Sequence, residues 1–318
     1  MEKEIKTVET VETVETVVTK KKKNKELNNM KRNAVWWIAT GILFVYCLTI
    51  LYVMYWLITN SLKSYTEYVR FPYQFPKKFK WDNYKEVFEY MYVKINKNGQ
   101  PYYYRFEHMV GTSVLFGLLM PLPGLLWTSC MAYVICTYKK FWYNKVLYEL
   151  GVLLMVMPLV GTLPASMKVA KFLGTYDNLF MTLILNTGSF SGMRFLMLYA
   201  TFKGVSTTYK EACLIDGGND YIAFFKIALP MALPTIIVFY FMDFIAQWNS
   251  YEQFLIWFPS YANLSYGMYI FQNNISLYGV GYPTVLAGFV IVAVPSVLLY
   301  MAISSKLVEN VKIGGLKG

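Results

Sequence analysis

The sequence predicts an all-α integral membrane protein with six transmembrane helices. Of its 318 residues, 56% are hydrophobic and only 15% are charged, which suits a chain embedded in lipid better than a soluble domain. A helix needs about 20 apolar residues to cross a bilayer. Six segments of about that length meet the requirement: 35–58, 110–136, 146–167, 178–202, 233–257 and 284–304.

The first 33 residues precede these spans and are polar. Residues 7–16 repeat a Thr-Val-Glu unit, and a run of lysines follows at 20–23. Repetitive polar sequence of this kind is typical of disorder. We expect no cleaved signal peptide, because the apolar segment that follows is too long and has no small-residue cleavage site. The basic run favours a cytoplasmic N-terminus held against anionic lipid.

The distribution of lysines predicts the orientation of the spans. The loop between spans five and six carries no charge at all from Gln253 through Ser305. Lysines occur instead between spans two and three, in loop 203–232, and after span six: Lys139, Lys140, Lys145, Lys203, Lys210, Lys226, Lys306, Lys312 and Lys317. This positive-inside pattern predicts that both termini are cytoplasmic. Loop 60–109 opposes the pattern with nine basic residues, but long loops can be translocated regardless of charge.

Loop 60–109, predicted to be extracellular, contains two local signals of structure. Residues 81–92 form an amphipathic helical pattern, and Asn98-Gly99 is a favoured turn for a β-hairpin between the flanking residues. Pro101 would confine the second strand to an edge. Two interpretations of this hairpin stay open: it contacts an extracellular partner, or it is a solvated excursion.

Loop 203–232 cannot lie in hydrocarbon, because it is charged between two apolar segments. Its charged residues are Lys203, Lys210, Glu211, Asp216, Asp220 and Lys226. Residues 221–227 can form a second short helix, whose extension Pro230 and Pro234 would limit. The pattern therefore predicts a helix, a turn and another helix at a membrane surface.

The start and the end of the first of these helices have their own signals. Thr207 and Thr208 supply hydroxyls for an N-cap, and Glu211 follows Thr208 at the spacing of a capping box. Gly217 and Gly218 then provide a helix stop and a sharp reversal.

The same loop carries a spaced motif. Glu211, Ala212 and Cys213 are followed after three residues by Gly217, and nine residues later comes the sequence Ile-Ala-Leu-Pro at 227–230. This resembles the EAA signature of the membrane-spanning subunits of ABC importers, with cysteine in place of the second alanine. The resemblance implies a cytoplasmic coupling helix that docks into a cleft of an ATPase subunit. The alternative is an ordinary amphipathic loop.

The resemblance extends from about residue 43 to the C-terminus, within the carbohydrate branch that includes the second permease of maltose systems. The elements that carry it are Asn60-Ser61-Leu62-Lys63, Asp82-Asn83-Tyr84, Ala132-Tyr133, Trp248-Asn249 and the terminal sequence GGLKG at 314–318. The sequence departs from the family at Thr112, where asparagine is usual, and at Val205-Ser206, where Ile-Pro is usual. Residues 34–318 are thus expected to form a type I ABC importer permease domain.

The resemblance also implies roles for the motif residues. Glu211 would be the charged anchor for a basic residue of the ATPase, while Ala212 and Cys213 allow close packing and Gly217 permits the turn. Phe224, Phe225 and Ile227 would pack the second short helix against the ATPase or the membrane base. The complete predicted ATPase-coupling set is Glu211, Ala212, Cys213, Asp216, Gly217, Phe224, Ile227, Leu229 and Pro230.

No energy-converting or catalytic motif occurs in the sequence. It lacks the phosphate-binding GxxxxGK(S/T) pattern, HExxH and GxSxG, and His108 is its only histidine. We expect no catalytic residue, no metal site and no cofactor in this chain. We also expect no nucleic-acid binding, because the basic residues flank apolar spans. The four cysteines lie in apolar segments or in the motif, so no disulfide is expected.

The resemblance therefore implies that ATP is used by a partner. The implied assembly, in a bacterial cell membrane, has two permeases that differ from one another, two ATPase subunits and an extracellular solute-binding protein, and it moves a carbohydrate by alternating access. A permease for another solute and an ion-coupled secondary transporter are the alternatives. The second would need paired mid-membrane ionisable groups and repeated halves, which are not clear here. A membrane-embedded enzyme is third.

Polar residues inside the spans are candidates for the solute path, since charges in a membrane are costly. Tyr240, Asp243, Gln247 and Ser250 share one face of span five. Arg194 lies beside a glycine-flanked break predicted at 188–192, where backbone could face a water-filled cavity. The predicted set is Tyr240, Asp243, Gln247, Trp248, Asn249 and Arg194. The alternative is that these groups bond to neighbouring helices.

Overall fold

The computed structural model describes residues 36–97, 99–157, 161–185 and 192–315. Two compact units are present: one holds residues up to Asn60 with Tyr73–Phe75, and the other holds the remaining residues. The predicted tail 1–33 and the end of the terminal GGLKG sequence lie outside the described residues, and so does Asn98.

The described chain is predominantly helical with one small sheet. In order, the elements up to the middle of the chain are α1 (Trp36–Ser61), α2 (Tyr65–Arg70), α3 (Asp82–Tyr90), β1 (Val93–Lys97), β2 (Gln100–Tyr104), α4 (Phe106–Leu119), α5 (Pro121–Thr137), α6 (Trp142–Val156), α7 (Leu163–Phe172) and α8 (Leu179–Leu185). Then follow α9 (Gly192–Lys203), α10 (Thr207–Ile215), α11 (Asp220–Ile222), a π-helical turn (Ala223–Ala228), α12 (Leu229–Asn249), α13 (Glu252–Ile256), α14 (Leu264–Asn273), α15 (Ile275–Tyr278) and α16 (Tyr282–Gly315).

Four helical stretches of the described chain are long and apolar enough to cross a membrane. They are Trp36–Ser61, Phe106–Thr137, Asp220–Asn249 and Tyr282–Met301, and they correspond to predicted spans one, two, five and six. In α1 the apolar side chains are exposed around most of the helix. An apolar surface of that kind is typical of a helix surrounded by lipid.

The third and fourth predicted spans are each divided. Span three, predicted over 146–167, ends as α6 at Val156, because Met157 is extended (φ −68°, ψ 122°) as the residue before a proline tends to be. Helix α7 resumes at Leu163. Span four, predicted over 178–202, contains α8 and α9, and α9 begins at Gly192, whose φ of 86° is outside the helical range. The predicted glycine-flanked break therefore lies mostly outside the described residues.

The fifth span begins earlier than predicted. The second short helix at 221–227 is not separate, because α11, the π-helical turn and α12 run without interruption from Asp220 to Asn249. The N–H of Leu229 donates to the carbonyl of Phe224 five residues before it. Pro230 then falls in the first turn of α12, where a missing N–H is tolerated. The span ends at Asn249, since Ser250 is extended, and Glu252–Ile256 form the separate α13.

The predicted hairpin is present. β1 and β2 pair antiparallel from Val93–Tyr104 to Lys97–Gln100, and Gly99 has φ 79° in the turn. The preceding helix ends at Tyr90, two residues earlier than predicted. Apolar residues of α3, the hairpin, α14 and α16 together form one hydrophobic cluster. The hairpin is therefore packed against α3, α14 and α16.

A buried polar network joins α3 to residues 61–72. The amide of Asn83, which is buried, donates to the carbonyls of Ser61 (2.7 Å) and Lys63 (2.9 Å). The hydroxyls of Ser61 and Tyr84 lie 2.7 Å apart. The ammonium of Lys63 donates to the carbonyls of Phe71 (2.9 Å) and Pro72 (3.3 Å). Two of the sequence elements that carried the family resemblance are thus in contact.

Candidate coupling surface and solute path

The coupling helix predicted from the motif is α10. Its N-cap is Ser206, whose hydroxyl accepts from the N–H of Thr208 at 3.3 Å. The prediction of a cap at Thr207 or Thr208 is wrong by one or two residues, because both are already helical. Counted from Ser206, the third helical position is Tyr209, so Glu211 is not placed for a capping box.

The helix stop predicted at Gly217-Gly218 is present and has the geometry of a Schellman motif. The N–H of Gly218 donates to the carbonyl of Cys213 (2.8 Å), and the N–H of Gly217 donates to that of Leu214 (3.2 Å). Gly217 has φ 80°, which favours glycine. A Cβ on Gly218 would lie 2.6 Å from the sulfur of Cys213. Gly217 is therefore needed for its positive φ, and Gly218 for its lack of a side chain.

One face of α10 is exposed to solvent within the described chain. None of its nine residues is buried. Glu211 and Ala212 are exposed, Ile215 is 84% exposed and Leu214 is 44% exposed, while Asp216 is exposed at the C-cap. Cys213 is half-buried because its sulfur faces the Gly218 backbone. A short helix with exposed aliphatic side chains beside a carboxylate is a surface suited to another protein.

On the other side of α10, Lys210 contacts two residues outside the helix, Tyr138 and Asp220. The ammonium of Lys210 donates to the hydroxyl of Tyr138 (2.9 Å), pairs with the carboxylate of Asp220 (2.9 Å), and lies 4.0 Å from the centroid of the Tyr138 ring. Burial alone would lower the pKa of Lys210, but the hydrogen bonds to Tyr138 and Asp220 outweigh it and raise that pKa. Lys210 therefore stays charged.

The remaining motif residues lie on the helix that follows the turn. Phe224 is buried, with its ring centroid 5.0 Å from that of Tyr133 and 6.2 Å from that of Phe202. It packs inside the chain against residues at the ends of predicted spans two and four, so its ring is not exposed for contact with an ATPase. Phe225 is half exposed, Ile227 is partly buried, and Leu229 and Pro230 belong to the first turn of α12.

Two of the predicted path residues form an ion pair. The guanidinium of Arg194 on α9 donates to the carboxylate of Asp243 on α12. Both side chains are partly buried. Each charge is thus neutralised by the other within the apolar part of the structure, which reduces the cost of holding either one there.

Other predicted path residues are occupied by contacts between helices. The hydroxyl of Tyr240 donates to the carbonyl of Leu118 at 2.9 Å. The indole N–H of Trp248 donates to the carbonyl of Val292 at 3.2 Å, and its ring is buried and stacked on Phe244. The ring of Trp248 is therefore not available to a sugar in this conformation. Asn249 is exposed, and its amide caps its own helix.

Gln247 differs from these residues. Its side-chain oxygen is buried and accepts no hydrogen bond within the described chain. Gln247 lines a cavity of about 630 Å³ together with Ser250, Glu252, Gln253, Trp257 and Thr182, among others. Amide, hydroxyl and carboxylate groups beside an indole ring are the functional groups that bind a polyhydroxylated solute.

Residues 124–308 match the model of one protein family, described as the binding-protein-dependent transport system inner membrane component. The match covers more than half of the chain. The chain belongs to this family. It is therefore a membrane component of a transport system and not an enzyme.

Two relatives whose names describe a transport role are similar to this chain. The chain is 26% identical over 287 residues to the diacetylchitobiose uptake system permease protein NgcG of Streptomyces coelicolor, with 87% of each chain covered. It is 22% identical over 247 residues to the galactooligosaccharides transport system permease protein GanQ of Bacillus subtilis, covering 76% of this chain and 82% of that one.

A solved structure shares the fold. It is a crystal structure of a bacterial ABC transporter involved in the import of the acidic polysaccharide alginate. The matching chain superposes with a TM-score of 0.64 at 16% identity, over 85% of this chain and 94% of that chain. The type I importer permease fold expected for this transport family is thus shown.

Sequence reasoning missed several residues of these sites. Tyr138 and Lys210 are 72 positions apart, and nothing in either neighbourhood indicates that they meet. Glu252 and Gln253 were passed over because span five was predicted to continue through them to Trp257. An accurate helix end at Asn249 would have placed both in a separate segment beyond span five.

Proposed function

We propose that this chain is one of two different permease subunits of an importer that carries an oligosaccharide into a bacterial cell. Two ATPase subunits and an extracellular solute-binding protein complete the assembly. Both termini lie in the cytoplasm, and transport proceeds by alternating access. Support for a saccharide comes from the relatives, whose names specify diacetylchitobiose and galactooligosaccharides, and from the polar cavity beside Gln247.

The exposed face of α10 is the observation that carries the proposal. An isolated helix of nine residues is marginal in water, yet this one is capped at both ends and leaves Leu214 and Ile215 in solvent. Such a surface is complete only when a partner covers it. In the proposed assembly the partner is the ATPase, and Glu211 pairs with one of its basic residues.

Movement of α10 reaches the membrane by two connections. One is the contact of Lys210 with Tyr138 at the end of α5. The other is the short turn from Gly217 into the helix that continues to Asn249. When ATP binding closes the ATPase pair, α10 is displaced with it, and both connections move spans two and five together.

The solute path runs along α12. Gln247 supplies an unsatisfied acceptor to the cavity, and the Arg194–Asp243 pair lies one turn away along the helix. We assign Gln247 to direct contact with the solute. The ion pair either contacts the solute or holds α9 and α12 together, and these two roles can be separated by experiment.

The coupling assignment is tested with Glu211→Lys. Reversing the charge on the exposed face of α10 is expected to abolish uptake of a saccharide in cells, while the subunit still inserts and α10 keeps its caps. Glu149→Lys is the matched control, because Glu149 is an exposed carboxylate on α6 with only a long pair to Lys145 (4.0 Å). Normal uptake in Glu211→Lys, or equal loss in both variants, would count against the proposal.

Contact with the ATPase can be captured directly. Cys213 is a poor attachment point because its sulfur faces the backbone of Gly218. Ile215→Cys, in a chain whose four native cysteines are replaced, places an exposed thiol on the same helix. A bifunctional reagent should link it to the ATPase subunit, and Leu277→Cys, also highly exposed but on α15, should give no such product. Failure to capture the ATPase from position 215 would refute docking at α10.

The two roles of the ion pair are separated by Asp243→Asn alone and together with Arg194→Gln. The single change leaves a guanidinium unpaired among apolar groups and is expected to lower both stability and uptake. If the pair is structural only, the neutral double variant regains uptake. If it contacts the solute, the double variant regains thermal stability but not uptake.

A further inference from the structure

A cavity of about 380 Å³ opens at the end of α5, next to α10. Four lysines line it: Lys139, Lys140, Lys203 and Lys210. Among the described residues that form its wall, none carries a carboxylate. The proposed transport function makes no use of this cavity, although it adjoins the coupling helix.

The positive charge of the cavity is not balanced locally. Lys210 is paired with Asp220. The ammonium of Lys139 lies 5.7 Å from the ring centroid of Tyr199, a contact that leaves its hydrogen-bond donors available. In the described part of the chain no carboxylate pairs with Lys139, Lys140 or Lys203. Three cations around one opening make a strong attraction for an anion.

The inner wall of the same cavity is apolar. Tyr133, Cys136, Phe202, Ile227 and Ala228 contribute to it, and all five come from α5, α9 and the π-helical turn at the ends of apolar segments. A small soluble anion would use only the rim. The combination fits a ligand whose anionic group is attached to an apolar body.

We propose that this cavity binds the headgroup of an anionic phospholipid. The phosphodiester lies among Lys139, Lys140 and Lys203, and the start of the acyl chains lies against Phe202 and Ile227. Basic pockets between membrane helices on the cytoplasmic side are suited to anionic headgroups. Placement on the cytoplasmic side rests on the orientation in the proposed function, whereas the binding itself does not.

A bound lipid here would connect the loop that follows α5 with the segment that leads into α10. Lys139 and Lys140 follow α5, and Lys203 ends α9 three residues before the cap of α10. A phosphate shared between them would hold the start of α10 near the membrane surface. The anionic lipid content of the membrane would then influence how firmly α10 is positioned.

Binding is measured by native mass spectrometry of the purified full chain in detergent, titrated with palmitoyl-oleoyl phosphatidylglycerol or phosphatidylcholine. Preferential retention of one phosphatidylglycerol is expected. Lys139→Gln/Lys203→Gln should bind it about 20- to 30-fold more weakly, since each lysine at an anionic membrane surface contributes roughly fivefold. Lys168→Gln/Lys171→Gln removes two charges on α7 as the matched control and should retain the binding. Lys139→Arg/Lys203→Arg should retain it too.

Each contrary result has a definite meaning. Equal retention of the two lipids, or undiminished binding in Lys139→Gln/Lys203→Gln, would overturn the proposal. Displacement of the lipid by millimolar inorganic phosphate would assign the cavity to a soluble anion instead. Loss of the lipid from the native chain on assembly with the ATPase would assign the cavity to that interface. None of these outcomes depends on uptake, so they are distinguishable from failure of the proposed transport function.

Discussion

Replacing Lys210 by methionine should loosen the coupling helix without disturbing its exposed face. The change removes the hydrogen bond to Tyr138 and the ion pair with Asp220, both 2.9 Å long, while keeping most of the side-chain volume. Hydrogen bonds to charged groups contribute about 1.5–3 kcal/mol and exposed ion pairs about 0.2–1 kcal/mol. Because the Asp220 side chain is 55% exposed and that of Lys210 is 21% exposed, the lower values apply, about 1–2 kcal/mol in total.

Amide hydrogen exchange measures this loss locally. A helix whose opening free energy falls by about 1–2 kcal/mol exchanges about 5- to 30-fold faster. We expect that acceleration in residues 207–215 of Lys210→Met. Lys145→Met, which removes a long and exposed pair with Glu149, should leave the segment unchanged. Unchanged exchange in Lys210→Met would refute the argument that this contact anchors α10.

A double-mutant cycle tests whether Tyr138 is the partner of Lys210. Tyr138→Phe removes only the hydroxyl, so its effect in the Lys210→Met background should be smaller than in the native chain. The pH dependence provides a second check. Because the pKa of Lys210 is raised above its usual 10.5, the stabilisation is fully present below 10.5 and is lost only as pH rises through the raised value. The difference between native chain and Lys210→Met should thus be constant from neutral to mildly alkaline pH.

Substitutions at four further positions test steric and polar requirements by thermal unfolding of the purified chain. Gly218→Ala should destabilise the chain more than Gly217→Ala. The first change places a methyl 2.6 Å from the sulfur of Cys213, whereas the second costs only about 1–2 kcal/mol of backbone strain. Equal losses would refute the argument that Gly218 is needed for its lack of a side chain. Asn83→Ala removes two buried hydrogen bonds, to the carbonyls of Ser61 and Lys63, and should cost about 2–4 kcal/mol. Asn83→Asp, which keeps the size but not the amide donors, should be no better. Gly117→Ala meets the Phe244 ring at 2.7 Å and should cost about 1–3 kcal/mol; an unchanged melting temperature would show that the ring moves freely.

Local signals in the sequence were enough to predict local structure. The stop at Gly217 and the turn at Gly99 depend on backbone conformations that glycine adopts easily, and both have positive φ. The spacing of the EAA motif could be read without knowledge of contacts. The position of α10 and the identity of the hairpin followed from these few residues.

Features that depend on distant contacts could not be predicted in the same way. Pro230 normally predicts a helix boundary, but the π-helical turn before it moves the carbonyls into an i to i+5 pattern, and the helix continues. Trp248 belongs to the residues predicted to line the solute path. Its orientation toward Val292 depends on how α12 packs on α16, which a single sequence does not reveal. The same holds for the meeting of Arg194 with Asp243.

The continuous helix from Asp220 to Asn249 has a mechanical consequence. Asp243 lies 23 residues beyond Asp220, which at 1.5 Å per residue is a distance of about 35 Å along the helix. If the helix tilts as one body by about 5° around its Asp220 end, the carboxylate of Asp243 moves sideways by about 3 Å, enough to break a hydrogen bond. A flexible joint at Pro230 would absorb such a tilt. The unbroken backbone instead connects a small rotation at Asp220, beside α10, to a change of partners at Asp243.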